Sequence, residues 1–328
     1  MVNQEIAPEK AEIKKVSSRR KLFYLTSLRP RQWTKNFVVF AAPLFAFNLN
    51  LQSISGCFLA FVLFCCASSG FYLINDIVDV KSDRQHPIKC TRPIAAGLVS
   101  IPVAIAMSVL LLGTALIVSW LRSPVLGITL TSYMCLQIAY NLRLKRTPIL
   151  DIVAIATGFV LRAYAGFAAT GISLSAWFLL CTAMLALFLA IEKRKAELRL
   201  SEIKGGKTRA VLKRYSLPLL IRMESTVTTG AFMSYSLWSA GPVVQGAKTP
   251  WMMLTIPFVL YGIFRYQMLS DPKDIDIISE AEHKLGYGQY TERPEEVLLT
   301  DKPLLLTVIS WICTIFVILS LKHNEIIQ

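Results

Sequence analysis

Apolar stretches of bilayer length constrain this chain more than any other feature. They lie near residues 37–49, 54–75, 99–121, 124–141, 148–170, 173–192, 217–240, 250–270 and 303–321, with polar connectors between them. About 20 residues of helix cross a hydrocarbon core of roughly 30 Å. No water reaches backbone groups there, so only helices and closed barrels are viable. Apolar runs this long favour helices over the short alternating strands of a barrel. The run at 37–49 is short and draws on Trp33 to Asn36 to reach full length. The run at 217–240 is the most polar, with Arg222, Glu224 and many hydroxyls. Composition agrees: 54% of residues are hydrophobic, 17% are charged, and mean hydropathy is +0.51. The expectation is an all-α integral membrane protein of nine transmembrane helices, not a soluble domain.

Lys and Arg total 35 against 21 Asp and Glu, a formal charge of +14. Most of the basic residues fall in the N-terminal arm and in the connectors at 76–98, 142–147, 193–216 and 271–302. The intervening connectors are nearly uncharged, apart from Arg122 and Lys248. The positive-inside rule then places the N-terminus in the cytoplasm and, with nine spans, the C-terminus outside. The expected organisation is a basic arm at 1–28, one membrane domain at 29–322 and a short extracytoplasmic tail at 323–328. The excess of base is assigned to orientation and to phosphate, and no nucleic-acid partner is expected. There is room for a homo-oligomer. Six of the seven cysteines lie in apolar runs without metal spacing, so no disulfide is expected. The polar, basic start of the chain has no apolar core of a signal peptide.

One connector carries a chemical signature. Asn75-Asp76-Ile77-Val78-Asp79-Val80-Lys81-Ser82-Asp83 follows the second apolar run. On a helix, Asp76, Asp79 and Asp83 stand at i, i+3 and i+7 and share a face, with Asn75 and Asp79 an i, i+4 pair. Carboxylates crowded in this way repel unless a cation lies between them. Hard oxygens suit Mg²⁺, which binds through a few carboxylates and the phosphates of a substrate. A solvated acidic cap on a membrane helix is the plainer alternative. Basic residues gather in the same set of connectors: Lys35 before the first run, Lys89 and Arg92 after the aspartates, Lys145 after the fourth run, whose last turn carries Tyr140, and Lys193 and Arg194 after the sixth. Each basic connector alone is explained by topology. Together with the aspartates they provide what a diphosphate leaving group needs. Asp151 and Arg162 lie inside the fifth run, about 20° from a shared face. Charges within a span usually face a cavity or a partner. Arg162 is placed to meet a lipid phosphate, or else to pair with Glu224. Arg265 and Tyr266 are weaker candidates that fit snorkelling. The connector at 271–302 is either a cap over a pocket or a plain link.

Asn75-Asp76-x-x-Asp79-x-x-x-Asp83 after the second of nine spans resembles the first acidic motif of the UbiA-type intramembrane prenyltransferases. Further segments resemble its decaprenyl-phosphate phosphoribosyltransferase branch. They are Arg29-Pro30-Arg31-Gln32-Trp33-Thr34-Lys35-Asn36, Arg92-Pro93-Ile94-Ala95-Ala96-Gly97, Pro148-Ile149-Leu150-Asp151 through Arg162, Lys193-Arg194-Lys195-Ala196-Glu197-Leu198 and Arg293-Pro294-Glu295-Glu296. Where aromatic prenyltransferases of this type carry a second DxxxD motif, this chain has Glu192-Lys193-Arg194-Lys195-Ala196-Glu197. That difference favours direct Lys/Arg contacts to phosphate over a second metal.

The resemblance implies transfer of 5-phosphoribosyl from phosphoribosyl diphosphate to a polyprenyl phosphate at a cytoplasm-facing site of the cell membrane. It implies Mg²⁺ on Asn75, Asp76, Asp79 and Asp83, the three aspartates being catalytic. Lys35, Lys89, Arg92, Tyr140, Lys145, Arg162, Lys193 and Arg194 would bind substrate. An aromatic prenyltransferase using a prenyl diphosphate is the alternative enzyme. A transporter is less favoured, because no inverted repeat is visible.

Overall fold

The computed structural model describes residues 22–86, 89–173, 175–204, 211–270, 297 and 300–326. Among them every regular element is a helix. In chain order these are α1 (Ala41–Phe45), α2 (Leu51–Val78), α3 (Val80–Arg84), α4 (Ile101–Arg122), α5 (Pro124–Leu142), α6 (Leu150–Thr170), α7 (Ala176–Lys204), α8 (Leu217–Ser239), α9 (Ile256–Leu269) and α10 (Lys302–His323). Helix starts repeat one device: a polar cap followed by proline in the first turn, where no backbone donor is missed. Ser216 accepts from the Leu219 N–H ahead of Pro218, and Asp301 accepts from the Leu304 N–H beside Pro303. Helix α6 ends on Gly171, whose φ of 72° suits a residue without Cβ.

Among the described residues, seven helices are long and apolar enough to cross a membrane: Leu51–Val78, Ile101–Arg122, Pro124–Leu142, Leu150–Thr170, Ala176–Arg199, Pro250–Leu269 and Lys302–His323. Two of the nine expected spans differ. The segment expected at 37–49 is a 3₁₀ helix over Pro30–Phe40 that runs into the five-residue α1. A 3₁₀ helix rises about 2.0 Å per residue against about 1.5 Å for an α-helix, so such a segment covers more length per residue. The segment expected at 217–240 is helix α8, but Arg222, Glu224 and its hydroxyls lower its apolarity. The connector expected from residue 193 also begins later. Helix α7 continues to Lys204, because no Gly or Pro interrupts it before Gly205 and its charges pair within the helix. The arm at 1–21, the stretch at 271–296 with its proposed cap and Arg293-Pro294, and the last two residues lie outside the described residues.

The chain divides into two compact units. The first comprises Met1–Phe37 and Leu59–Met134. Its core gathers Leu73 of α2, Ile94 and Val99 of the connector, and Ala104 of α4, with Phe23 and Leu28 packed against them. Trp33 donates through Nε1 to Ser69 Oγ at 3.0 Å, and Ser69 donates on to the Leu28 carbonyl at 2.8 Å. These bonds tie the 3₁₀ segment to α2.

The second unit comprises Val38–Phe58 and Cys135–Gln328. Phe45, Phe178, Trp238 and Trp311 form an aromatic group, with Phe45 5.0 Å from Phe178, 5.0 Å from Trp238 and 5.8 Å from Trp311 between centroids. Tyr235 accepts from Trp311 Nε1 at 2.8 Å inside this group. A second core surrounds Tyr215 with Ile152, Ala190, Ile191, Val211, Leu212 and Leu220. Helix α6 approaches the segment before α1 so closely that a Cβ on Gly166 would stand 2.0 Å from the Val39 carbonyl oxygen. At the foot of α10, Arg265 grips Asp301 with both Nε (3.2 Å) and Nη2 (2.8 Å). Arg265 is thus an ion-pair partner and not simply a snorkelling end.

Candidate functional site

The first unit carries the acidic stretch. Helix α2 runs through Asn75 and Asp76, regular geometry breaks at Asp79 (φ −88°, ψ 3°), and α3 resumes at Val80. Hydrogen bonds cross the break: Asp79 N–H to the Asn75 carbonyl at 2.9 Å, and Asp83 N–H to the Asp79 carbonyl at 2.8 Å. The i, i+7 relation therefore survives. Asp76 and Asp83 are 4% and 3% exposed, whereas Asp79 is exposed and Asn75 half-buried. Of the three aspartates expected on one face, the fold buries two together.

Both buried carboxylates converge on one nitrogen. Arg92 Nη1 donates to Asp76 Oδ1 at 3.0 Å and to Asp83 Oδ2 at 2.6 Å. Arg29 Nη2 donates to the same Asp76 oxygen at 2.5 Å, and its guanidinium lies 4.8 Å from the Tyr72 ring centroid. Arg29 opens the segment at 29–36 but is not among the residues expected to hold metal or substrate. Its signal is weak: it precedes Pro30, which disfavours right-handed helical backbone at that position, and it takes φ 55°. Lys35 donates to Gln32 Oε1 at 2.6 Å, and Lys89 is exposed.

No group of three or more Asp, Glu, His or Cys side chains is close enough to share a metal among the described residues. The donor set still fits magnesium. Two buried carboxylates already share one positive group, and Mg²⁺ typically takes only one or two protein carboxylates, filling its shell with water and substrate phosphate.

The second unit holds the other candidates, Tyr140, Lys145, Arg162, Lys193 and Arg194. Helix α7 places Arg194 (1% exposed) against Asp151 of α6 (0% exposed), Nε to Oδ2 at 2.8 Å, and Arg194 also donates to Glu197. One residue on, Lys195 donates to Glu192 at 2.7 Å and to Glu224 of α8, which also accepts from Gln267 Nε2 at 2.8 Å. Each buried cation sits between two carboxylates. Burial of this kind is tolerated only when charges are paired, and removing one partner is costly. Arg194 and Lys195 therefore fasten α6, α7, α8 and α9. Arg162 is buried at mid-α6, 5.4 Å from the Phe159 ring centroid, and Lys193 is half-buried.

The connector between α5 and α6 is also fastened. Tyr215 Oη accepts from the Ile149 N–H at 2.6 Å and donates to Asp151 Oδ1 at 2.7 Å. Burial, then the bond to Asp151, pushes the Tyr215 hydroxyl well above its ordinary range, so it remains a neutral donor. Ile149 has φ 69° and ψ −51°, close to a strained γ-turn. For a β-branched residue that is an outlier, costing about 1–3 kcal/mol. Lys145 is half-buried and its neighbours Arg143 and Arg146 are exposed. Tyr215 was not foreseen, because its partners lie more than sixty residues away.

Residues 36–281 match the UbiA prenyltransferase family. The decaprenyl-phosphate phosphoribosyltransferase of Mycolicibacterium smegmatis is 37% identical over 304 residues, covering 89% of this chain and 90% of that protein. The protein of the same name from Corynebacterium glutamicum is also 37% identical, covering 88% and 84%. Among solved structures, a UbiA homolog from Archaeoglobus fulgidus bound to GPP and Mg²⁺ superposes with a TM-score of 0.62 at 18% identity, covering 91% of this chain and 99% of that one. A digeranylgeranylglyceryl phosphate synthase superposes at 0.60 with 14% identity, covering 91% and 99%.

Proposed function

This chain belongs to the UbiA prenyltransferase family, and we propose that it transfers 5-phosphoribosyl from phosphoribosyl diphosphate to a polyprenyl phosphate. The observation that carries this reading is identity of 37% across nine-tenths of both chains with a relative named for that activity. An oxygen of the lipid phosphate attacks C1 of the ribose. The bond from C1 to the diphosphate oxygen breaks, and the diphosphate departs with the electron pair. The lipid phosphate is already ionised near neutral pH and needs no strong general base.

Asp76 and Asp83 would hold magnesium with Asn75 beside them; Asp79, expected as a further ligand, is exposed and forms no three-carboxylate group with that pair. When bound, the ion supplies positive charge to the diphosphate as it leaves. Arg92 and Arg29 neutralise the aspartates in the structure described, and either guanidinium can turn to a phosphate once a cation takes over that task. Lys35 and Lys89 belong to the same unit and are assigned to phosphate. Arg162, Lys145, Tyr140 and Lys193 are assigned to substrate in the second unit, Arg162 to the lipid phosphate. Arg194 was expected among them, but its pairing with Asp151 and Glu197 favours a fastening role. The basic connectors support a cytoplasmic site.

Purified protein in detergent tests the assignment. Labelled phosphoribosyl diphosphate should be consumed only when polyprenyl phosphate and Mg²⁺ are present. Consumption of a labelled prenyl diphosphate instead would replace this function with aromatic prenyl transfer. Turnover without a sealed membrane separates either enzyme from a transporter.

A further inference from the structure

Two groups of cations in the second unit contrast. Arg194, Lys195 and Arg265 are each held by carboxylates. Arg143, Lys145 and Arg146, on the connector from α5 to α6, have no carboxylate within ion-pair reach among the described residues. Three such cations within four residues repel one another, and a flexible connector would spread them apart. This connector is instead closed at its far end. Ile149 is held at φ 69° while its N–H bonds to Tyr215, which bonds on to Asp151, which pairs with Arg194. Strained backbone of this kind persists only where its surroundings over-determine it.

We infer that Tyr215 is a positioning residue that holds Ile149 in its strained turn and thereby fixes Arg143, Lys145 and Arg146 as a phosphate-binding connector. This rests on the phosphoribosyl transfer proposed above. The recognised chemistry is a phosphate group, borne by either the sugar diphosphate or the lipid.

Tyr215→Phe keeps the ring among Ile152, Ile191 and Leu220 and removes both hydrogen bonds. It should raise the KM of one substrate about tenfold, as loss of one positioning hydrogen bond would, and change kcat much less. Titrating each substrate at saturating concentration of the other shows which phosphate the connector serves. Hydrogen exchange at the Ile149 amide should accelerate about tenfold or more, independently of activity. Glycine adopts positive φ without strain, so Ile149→Gly in the Tyr215→Phe background should restore much of the KM. A folded Tyr215→Phe protein with both KM values unchanged overturns the inference. So does a raised KM that Ile149→Gly leaves untouched. Wild-type protein that leaves phosphoribosyl diphosphate intact overturns the proposed function itself, and that outcome is read before any variant is compared.

Discussion

Replacing Lys195 by methionine separates fastening from phosphate binding. Lys195 Nζ lies between Glu192 and Glu224, all three buried, and is the ammonium that both carboxylates share. Lys195→Met keeps the length and apolar stem but leaves two buried carboxylates facing each other. Breaking a buried pair by removing one partner costs about 3–5 kcal/mol. Counting two charge-assisted hydrogen bonds gives a similar range, about 3–6 kcal/mol. With about 2.1 cal/mol/K of unfolding entropy per residue, a chain this long should lose roughly 4–7 °C in melting midpoint. Size-exclusion of detergent-solubilised protein after stepwise heating reads that shift. The triple replacement Glu192→Gln/Lys195→Met/Glu224→Gln should recover most of the loss, because the stranded charges go with the lysine. A Lys195→Met protein of wild-type thermal stability but weakened sugar diphosphate binding would refute this reasoning and make Lys195 a substrate contact.

Other consequences follow from single contacts. Burial works to raise the pKa of Asp301, but its hydrogen bonds to Arg265 and to the Leu304 N–H, together with the Arg265 charge, hold it below the ordinary 3.8. The stabilisation is therefore complete above that value and is lost as pH falls through the lowered folded-state pKa. Asp301→Asn, which keeps a good cap, should lower the melting midpoint near neutral pH, and the gap to wild type should close in strong acid. Gly166→Ala would push a methyl group to 2.0 Å from the Val39 carbonyl oxygen, which is backbone and has no rotamer to yield. Overpacking costs about 1–3 kcal/mol or more, so that variant should show reduced monodisperse yield while Ala165→Gly does not. Lys193→Ala should leave the midpoint within about 1 °C, since a partly exposed side chain is worth little to stability, but should raise the KM for sugar diphosphate.

Much of this organisation was legible in the sequence because it is written in local patterns. Apolar runs of bilayer length gave the helices, and the i, i+7 spacing gave the Asp76–Asp83 pair. The exposed position of Asp79 was not legible, because it follows from a local break in geometry that no Gly or Pro announces. Charge pattern alone made Glu192 to Glu197 look like a connector. In the fold it is helix, since Glu192–Lys195 and Arg194–Glu197 pair at i, i+3 and the remaining partners, Asp151 and Glu224, come from other helices. Such long-range pairs leave no local trace. Arg29 and Tyr215 were missed for the same reason. Their partners, Asp76 and Asp151, lie 47 and 64 residues away.

Mass spectrometry of the lipid product tests the central claim most directly. Wild-type protein, polyprenyl phosphate, phosphoribosyl diphosphate and Mg²⁺ should yield a lipid heavier by one phosphoribosyl group, together with free diphosphate. The same reaction with folded Asp83→Asn should yield almost none, since on the proposed assignment it loses one of the two buried carboxylates that would hold the metal, and with it several kcal/mol of charge stabilisation. Wild-type protein that forms no phosphoribosylated lipid, or an Asp83→Asn protein that forms it at the wild-type rate, would contradict the account.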